Sequence, residues 1–328
     1  MKIEELATVC GVSGDEALIR STIIKEIEAL NLAHHIDKMG NILVSKIGSG
    51  TERKKILLCA HMDEVGGIVC SITKEGYIKF KSVGGIDPRV LPAKRVLVGH
   101  KQIPGVIALK NDSPKKGVTT IEFSDLAVDI GENPEFVKDN VKLGDYIAFD
   151  SKYIEFGDLI KCKALDNRVG CAILLELMKK NYKNDITFAF TVKEEVGCVG
   201  AKVVTFGTNY DFCIVVETTI CSDLENIQHG NFATELGKGA AITVIDRGCI
   251  APKDLIKHLT DTADKHEIPW QYKQTAKGGN DSSAIHISQA GLKTVSVSAP
   301  CRYIHSPSCV CSISDIKACK NLIEKCID

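Results

Sequence analysis

The stretch Asp185-Ile-Thr-Phe-Ala-Phe-Thr-Val-Lys-Glu-Glu-Val-Gly197 decides how this chain reads. Its apolar run, Ile186 to Val192, has the β-branched and aromatic bias of a buried strand and ends abruptly in two carboxylates and a glycine. Open α/β sheets build their sites just beyond the carboxyl ends of strands. Adjacent side chains on an extended chain point apart, so Glu194 and Glu195 are expected to face different partners. That suits one carboxylate gripping a metal and the other handling a proton. Taken alone, such a pair is more often a solvated loop, and its company has to decide.

Working outward, the same signature recurs. Ile56-Leu-Leu-Cys-Ala60 runs into His61-Met-Asp63-Glu64-Val-Gly-Gly67, and Leu159-Ile-Lys-Cys-Lys-Ala-Leu165 runs into Asp166-Asn-Arg-Val-Gly170. Phe212-Cys-Ile-Val-Val216 meets Glu217, and Thr294-Val-Ser-Val-Ser-Ala299 leads to Arg302-Tyr-Ile-His305-Ser-Pro307. Asn41–Ser45 and Ala240–Ile245 read as further strands. Between them lie predicted helices. Ser13-Gly-Asp-Glu16 has the form of a capping box opening a helix through about Leu30. Others are expected over Cys171–Lys180, Pro252–His266, Ser282–Gln289 and about Ser314–Cys326. Strands alternating with helices in this way imply an α/β domain.

From about Gly66 to Cys162 the texture changes. Short runs punctuated by turn residues replace helical periodicity: Tyr77–Lys81, Val96–Val98, Val106–Leu109, Thr119–Phe123 and Tyr146–Phe149. This predicts a compact all-β, barrel-like domain (residues 66–162) inserted into the α/β domain (1–65 and 163–328).

Bulk properties exclude several classes. The chain has 328 residues, 25% of them charged, at a formal net charge of -1. That gives no electrostatic reason to expect nucleic acid or an anionic membrane as partner. No apolar run approaches the roughly 20 residues of a membrane helix. Acids in Met1-Lys-Ile-Glu-Glu-Leu6 argue against a signal peptide, so the expected location is the cytoplasm. The 14 cysteines include no Cys-x-x-Cys pair and many sit in apolar runs; they read as reduced core residues.

His61, Asp166, Glu195, Glu217 and His305 are thus expected on one edge of one sheet. Each alone has an ordinary explanation, a satisfied histidine or a helix cap. Together, two imidazoles and three carboxylates suit zinc or cobalt better than calcium. They suffice for two divalent ions if one carboxylate bridges. Asp63, two residues from His61, is placed to orient its imidazole.

Five motifs now become recognisable. Gly11-Val-Ser-Gly-Asp-Glu16, Ala60-His-Met-Asp-Glu-Val-Gly66, Lys163-Ala-Leu-Asp-Asn-Arg168, Glu194-Glu-Val-Gly197 and Arg302-Tyr-Ile-His-Ser-Pro307 resemble the M42 family of metalloaminopeptidases in order and spacing. The resemblance runs from about Leu6 to the C-terminus. It implies a zinc-peptidase-like mixed-sheet α/β domain, with the inserted β domain driving dimerisation within a tetrahedral dodecamer. It implies two zinc or cobalt ions per subunit: Asp166 bridging, His61 and Glu217 on one, Glu195 and His305 on the other. Glu194 would be the general base and Asp63 the orienter of His61. The substrates implied are peptides with a free N-terminus. This sequence departs from the family pattern in having Glu217 where Asp is frequent, Asn280 before Asp281, and no histidine near Ser113-Pro-Lys-Lys116. The competing readings are a glucanase-like glycoside hydrolase and a non-catalytic metal-binding scaffold; the second leaves Glu194 without a task.

Overall fold

The computed structural model describes residues 1–109, 120–224 and 233–328. It places Asp185–Thr191 in the middle of an eleven-stranded mixed sheet. From one edge the order is His35–Ile36, Ile42–Lys46, Asp185–Thr191, Lys55–His61, Phe212–Ile220, Thr294–Arg302, Cys309–Ser312, Leu159–Cys162 and Ile154–Phe156. Ala240–Thr243 pairs with Thr294–Arg302 and also with Trp270–Lys273. The four central strands, from Asp185–Thr191 to Thr294–Arg302, run parallel, so their carboxyl ends share one edge.

Those strands are covered on both faces, as their unbroken apolar runs require. On one face Ile56, Leu58, Phe188, Phe190, Ile214 and Val216 join the core formed with helices Leu165–Met178 and Ile313–Ile327. On the other, Leu57, Cys59, Ala189, Cys213 and Val215 pack with Ala201, Val204 and Ile285. All fourteen cysteines are unpaired thiols, most of them buried in these layers.

The insert is a closed six-stranded barrel of Gly66–Ile72, Ile78–Val83, Leu126–Asp129, Ile103–Leu109, Arg95–Val98 and Tyr146–Phe149, filled by Val69, Phe80, Val96, Ile107, Val128 and Ile147. Several expectations need correcting. Among the described residues the barrel carries one α-helix, Pro134–Asn140, capped by the Asn133 side chain on the Phe136 amide. Thr120–Phe123 contributes no strand; the chain makes a 3₁₀ turn at Phe123–Asp125 and the strand follows at Leu126. Thr119 and the Ser113–Lys116 loop lie outside the described residues. Ile154–Phe156 and Leu159–Cys162 pair within the large sheet, so the chain has left the barrel well before residue 162.

In the α/β part, Ser13 caps no helix. The helix begins at Ala17, and the Ser13 hydroxyl is drawn to Asp63 instead. Helix Ser282–Ile285 stops four residues short of Gln289. Glu217 lies inside a strand that continues through Thr218, Thr219 and Ile220, not beyond its end.

Candidate active site

Strand direction brings all seven residues singled out in the sequence to one sheet edge. His61 closes its strand and is buried. Its Nδ1–H donates to the Asp63 carbonyl at 3.2 Å, with the Asp63 carboxylate 3.5 Å away. That leaves Nε2 facing Asp166 Oδ1 at 3.3 Å and Glu217 Oε1 at 3.4 Å. His305, in a left-handed conformation after its strand, repeats the arrangement. Its Nδ1–H donates to Gly85 O at 2.8 Å, and Nε2 faces Asp166 Oδ2 and Glu195 Oε2, each at 3.2 Å. Asp166 therefore offers one oxygen to each imidazole. It sits at the non-helical start of helix Leu165–Met178, and Thr218 Oγ1 donates to its Oδ1 at 2.9 Å.

The glutamate pair does diverge. The Glu194 carboxylate lies 4.0 Å from His61 Nε2 and accepts from the Cys198 thiol at 3.4 Å, while Glu195 turns to His305. Both backbone amides donate to Asp63, Glu194 N to Oδ1 at 3.0 Å and Glu195 N to Oδ2 at 3.2 Å. Ser13 Oγ adds a 2.5 Å bond to Oδ2. Asp63 thus ties the His61 strand, the glutamate loop and the N-terminal segment together.

A second framework lies beneath. Lys163 Nζ donates to both Glu64 oxygens at 2.6 and 2.8 Å, and all three of Glu64, Lys163 and Arg168 are buried. Arg168 spends its guanidinium on the carbonyls of Met62, Leu6 and Val9 and approaches Glu64 at 3.5 Å. These contacts explain why the His61 and Asp166 motifs carry Glu64, Lys163 and Arg168 alongside their acids and imidazole.

Burial and crowded charge shift the acids around the two imidazoles, and the imidazoles themselves. Burial pushes Glu195 up to about 8, the Asp166 charge adding and His305 opposing. Burial likewise pushes Glu217 up to about 7 against the pull of His61, and raises Glu194 well above the carboxylate range. Burial opposes a charged His305, but Asp166 and Glu195 outweigh it and carry the imidazole up to about 10. His61 is likewise raised, by Glu217, Asp166 and Asp63 against burial. Asp166, although buried, is held well below the usual range by the two imidazoles.

The raised proton affinity of these buried acids is what a nearby cation would relieve. Two groups of donors, His61–Asp166–Glu217 and Asp166–Glu195–His305, each converge within 4.8 Å and share Asp166. Glu195 Oε1 and Glu217 Oε2 are buried without any hydrogen-bond partner. Buried carboxylate oxygens with nothing to accept fit a metal centre, because an unpartnered one is otherwise costly.

These groups open into a cavity of about 490 Å³ whose other wall the sequence reading did not foresee: Arg247, Lys273, Lys277, Gly278 and Gly279. Asp281 was passed over as well. It is buried beside Glu194, holds a 2.5 Å bond from Thr191 Oγ1, and leaves Oδ1 unpartnered. Its place in the Gly278-Gly-Asn-Asp281 loop was the available signal.

The M42 glutamyl aminopeptidase family profile matches residues 40–322. The chain belongs to that family. Its relatives include a glutamyl aminopeptidase of Lactococcus lactis, 30% identical over 96% of this chain and 91% of that protein. A lysyl aminopeptidase of Pyrococcus furiosus is 27% identical over 96% and 94%. The solved Pyrococcus horikoshii TET1 peptidase, titled as assembling into a tetrahedron or a large octahedral shell, superposes with a TM-score of 0.87 at 32% identity over 99% of this chain and 97% of that one. The chain is accordingly a peptide hydrolase acting on N-termini. Among its described residues no helix is long and apolar enough to cross a membrane.

Proposed function

We propose that this M42 enzyme is a two-metal aminopeptidase. The observation that carries the reading is the Asp166 carboxylate, with Oδ1 3.3 Å from one imidazole and Oδ2 3.2 Å from the other. His61, Glu217 and one Asp166 oxygen would hold the first ion; His305, Glu195 and the other oxygen would hold the second. Zinc and cobalt match this mixture of nitrogen and oxygen donors. When bound, the two ions would supply Lewis acidity at the scissile carbonyl and ease the deprotonation of an attacking water.

The chain's own residues do the rest. Glu194 stands beside the donors without being needed by either set. A carboxylate whose proton affinity is raised by burial is suited to take a proton near neutrality. It would accept one from water as oxygen adds to the carbonyl carbon, then deliver it to the nitrogen as the C–N bond breaks. The balance is one water consumed, with a carboxylate and an amine released. Asp63 acts one step back: it fixes the backbone of both glutamates and faces the far nitrogen of His61. The acid-rich end of the cavity favours the cationic α-amine of a free N-terminus.

A glycoside hydrolase with a metal-free carboxylate pair would leave both imidazoles and Asp166 idle, and a scaffold would leave Glu194 idle. We further propose homo-oligomers, dimers building a dodecamer; exposed apolar residues such as Phe206, Ile250 and Leu143 and the assembly of the P. horikoshii relative support it. A cytoplasmic location fits fourteen unpaired thiols. The test is metal analysis after dialysis, with hydrolysis of aminoacyl p-nitroanilides before and after chelation. Two divalent ions per chain and chelator-sensitive cleavage are expected. Cleavage that survives chelation, or a saturating stoichiometry below two, refutes the two-metal reading.

A further inference from the structure

Converging donors in the cavity extend past the two sets that share Asp166. Glu194, Cys198 and Asp281 form a further group, with ligand atoms all within 4.8 Å of one another. Neither Cys198 nor Asp281 belongs to His61–Asp166–Glu217 or to Asp166–Glu195–His305. Glu194 and Cys198 line the cavity, which gives an ion its way in.

Each donor is held for a local reason. The loop after strand Asp185–Thr191 folds back on itself, the Cys198 amide donating to Glu194 O at 2.8 Å, and this returns the thiol to the glutamate. Cys198 Sγ lies 3.4 Å from Glu194 Oε1 and 3.6 Å from Ser283 Oγ. The other oxygen, Glu194 Oε2, is the one that faces His61, 4.0 Å from Nε2. One carboxylate therefore looks toward two clusters. Asp281 is fully buried and anchored through Oδ2, which accepts from Thr191 Oγ1 at 2.5 Å and from the Cys59 thiol at 3.6 Å. Its Oδ1 accepts nothing among the described residues. A buried carboxylate oxygen without a donor is costly. The charges of Glu194 and Asp281 also oppose a thiolate at Cys198, and that of Asp281 opposes Glu194. A divalent cation is what lets three such groups be anionic together.

We propose that Glu194, Cys198 and Asp281 form a third cation site, apart from the pair that shares Asp166, which takes a thiophilic divalent ion such as zinc on one sulfur and two carboxylate oxygens. Sulfur beside oxygen selects zinc, cobalt or cadmium over magnesium and calcium, which keep to oxygen. Three protein ligands leave zinc one position for water. Binding displaces the thiol proton to solvent, so this site fills after the two imidazole sets. Its occupant holds Glu194 Oε1, and a carboxylate bound to an ion has lost its affinity for a proton from water. The third ion is therefore inhibitory. That consequence rests on Glu194 being the base in the aminopeptidase reading above; the site itself does not.

The experiment loads the full-length protein with cobalt, a spectroscopic stand-in for zinc, and follows the sulfur-to-metal charge-transfer band that a thiolate ligand produces. The imidazole sets contain no sulfur, so the band reads the third site alone. The unaltered protein is expected to saturate at three ions per chain and to show the band. Cys198→Ser, checked for folding by circular dichroism, is expected to saturate at two without it. Hydrolysis of an aminoacyl p-nitroanilide by the unaltered protein should rise and then fall as zinc is added. Cys198→Ser should need at least about tenfold more zinc for the same fall, since losing even an outer partner of a metal costs that much. The band needs neither activity nor a variant. Its absence at saturating cobalt, or its persistence in folded Cys198→Ser, overturns the third site whether or not peptides are cleaved. A band that depends on Cys198 but brings no loss of hydrolysis overturns the inhibitory role, and Glu194 as the base with it. Failure to cleave at any zinc concentration overturns the aminopeptidase reading, while the band still decides the site.

Discussion

Replacing Asp63 with asparagine probes the centre of the site without changing its shape. The carboxylate receives three donors, Glu194 N and Ser13 Oγ among them, and faces His61 Nδ1. An amide can keep only one acceptor oxygen. If that oxygen takes the Oδ1 place, the bond from Glu194 N survives and Ser13 can rotate to accept from the new NH₂. The Glu195 amide is then left facing a donor. In the opposite flip the Glu194 amide is orphaned and the new NH₂ faces the Nδ1–H that His61 donates to the Asp63 carbonyl, donor against donor. The first flip is cheaper: one unsatisfied buried donor, about 1–3 kcal/mol. At about 2–4 °C per kcal/mol that lowers Tm by several degrees. Losing the anion beside His61 also weakens the imidazole as a ligand, by about 10- to 100-fold in metal affinity. Zinc titration by calorimetry and a melting curve measure the two effects separately. Unchanged zinc affinity in a folded Asp63→Asn protein would refute the idea that Asp63 orients the metal-facing imidazole.

The opening glutamates should fail differently. Glu194→Gln should bind both metals yet lose about 10²–10⁴-fold in kcat, whereas Glu195→Gln should lose metal affinity and recover partly in excess zinc; exchanged patterns would mean reversed roles. Glu64→Gln removes the anion between two buried cations, Lys163 and Arg168, and should cost about 3–5 kcal/mol in denaturant unfolding; a change below 1 kcal/mol would show that the carbonyls around Arg168 suffice. Chelated protein should lose stability as pH rises. Glu217 at about 7, Glu195 at about 8 and His305 at about 10 hold protons in the fold that an unfolded chain releases near about 4.3 for Glu and 6.5 for His. Tm should therefore fall between pH 5 and 8 and be restored by zinc, while Asp63 and Asp166, held low, make the fold lose stability again only below about pH 4. A Tm that rises from pH 5 to 8 after chelation contradicts the proton-for-metal exchange.

The readable parts of this sequence were those where neighbours in the chain are also neighbours in the fold. Apolar runs such as Ile186–Val192 and Ile56–Ala60 declare buried parallel strands, and the polar residues after them mark a shared edge. What escaped depended on partners far along the chain. Ser13 has the right spacing for a cap, but its hydroxyl is held by the Asp63 carboxylate, fifty residues on, to which it donates. Glu217 breaks an apolar run without ending the strand, because Thr218–Ile220 continue its pairing with Thr294–Arg302. Helix Pro134–Asn140 is too short to show a period. Lys273 looks like an ordinary polar strand end, and only the approach of Gly278 and Arg247 makes it part of a cavity wall.

The Gly85 carbonyl carries one more implication. It belongs to the loop after barrel strand Ile78–Val83, yet it accepts the Nδ1–H of His305 at 2.8 Å. One imidazole of the candidate site is thus steered from the barrel while its fellow, His61, is steered by Asp63, two residues along its own chain segment. A tilt of the barrel by a single ångström would stretch that bond past useful length and release His305 while leaving His61 untouched. The two halves of the donor set therefore differ in mechanical stiffness. Whatever braces the barrel, a neighbouring subunit included, braces the half of the site that holds Glu195 and His305.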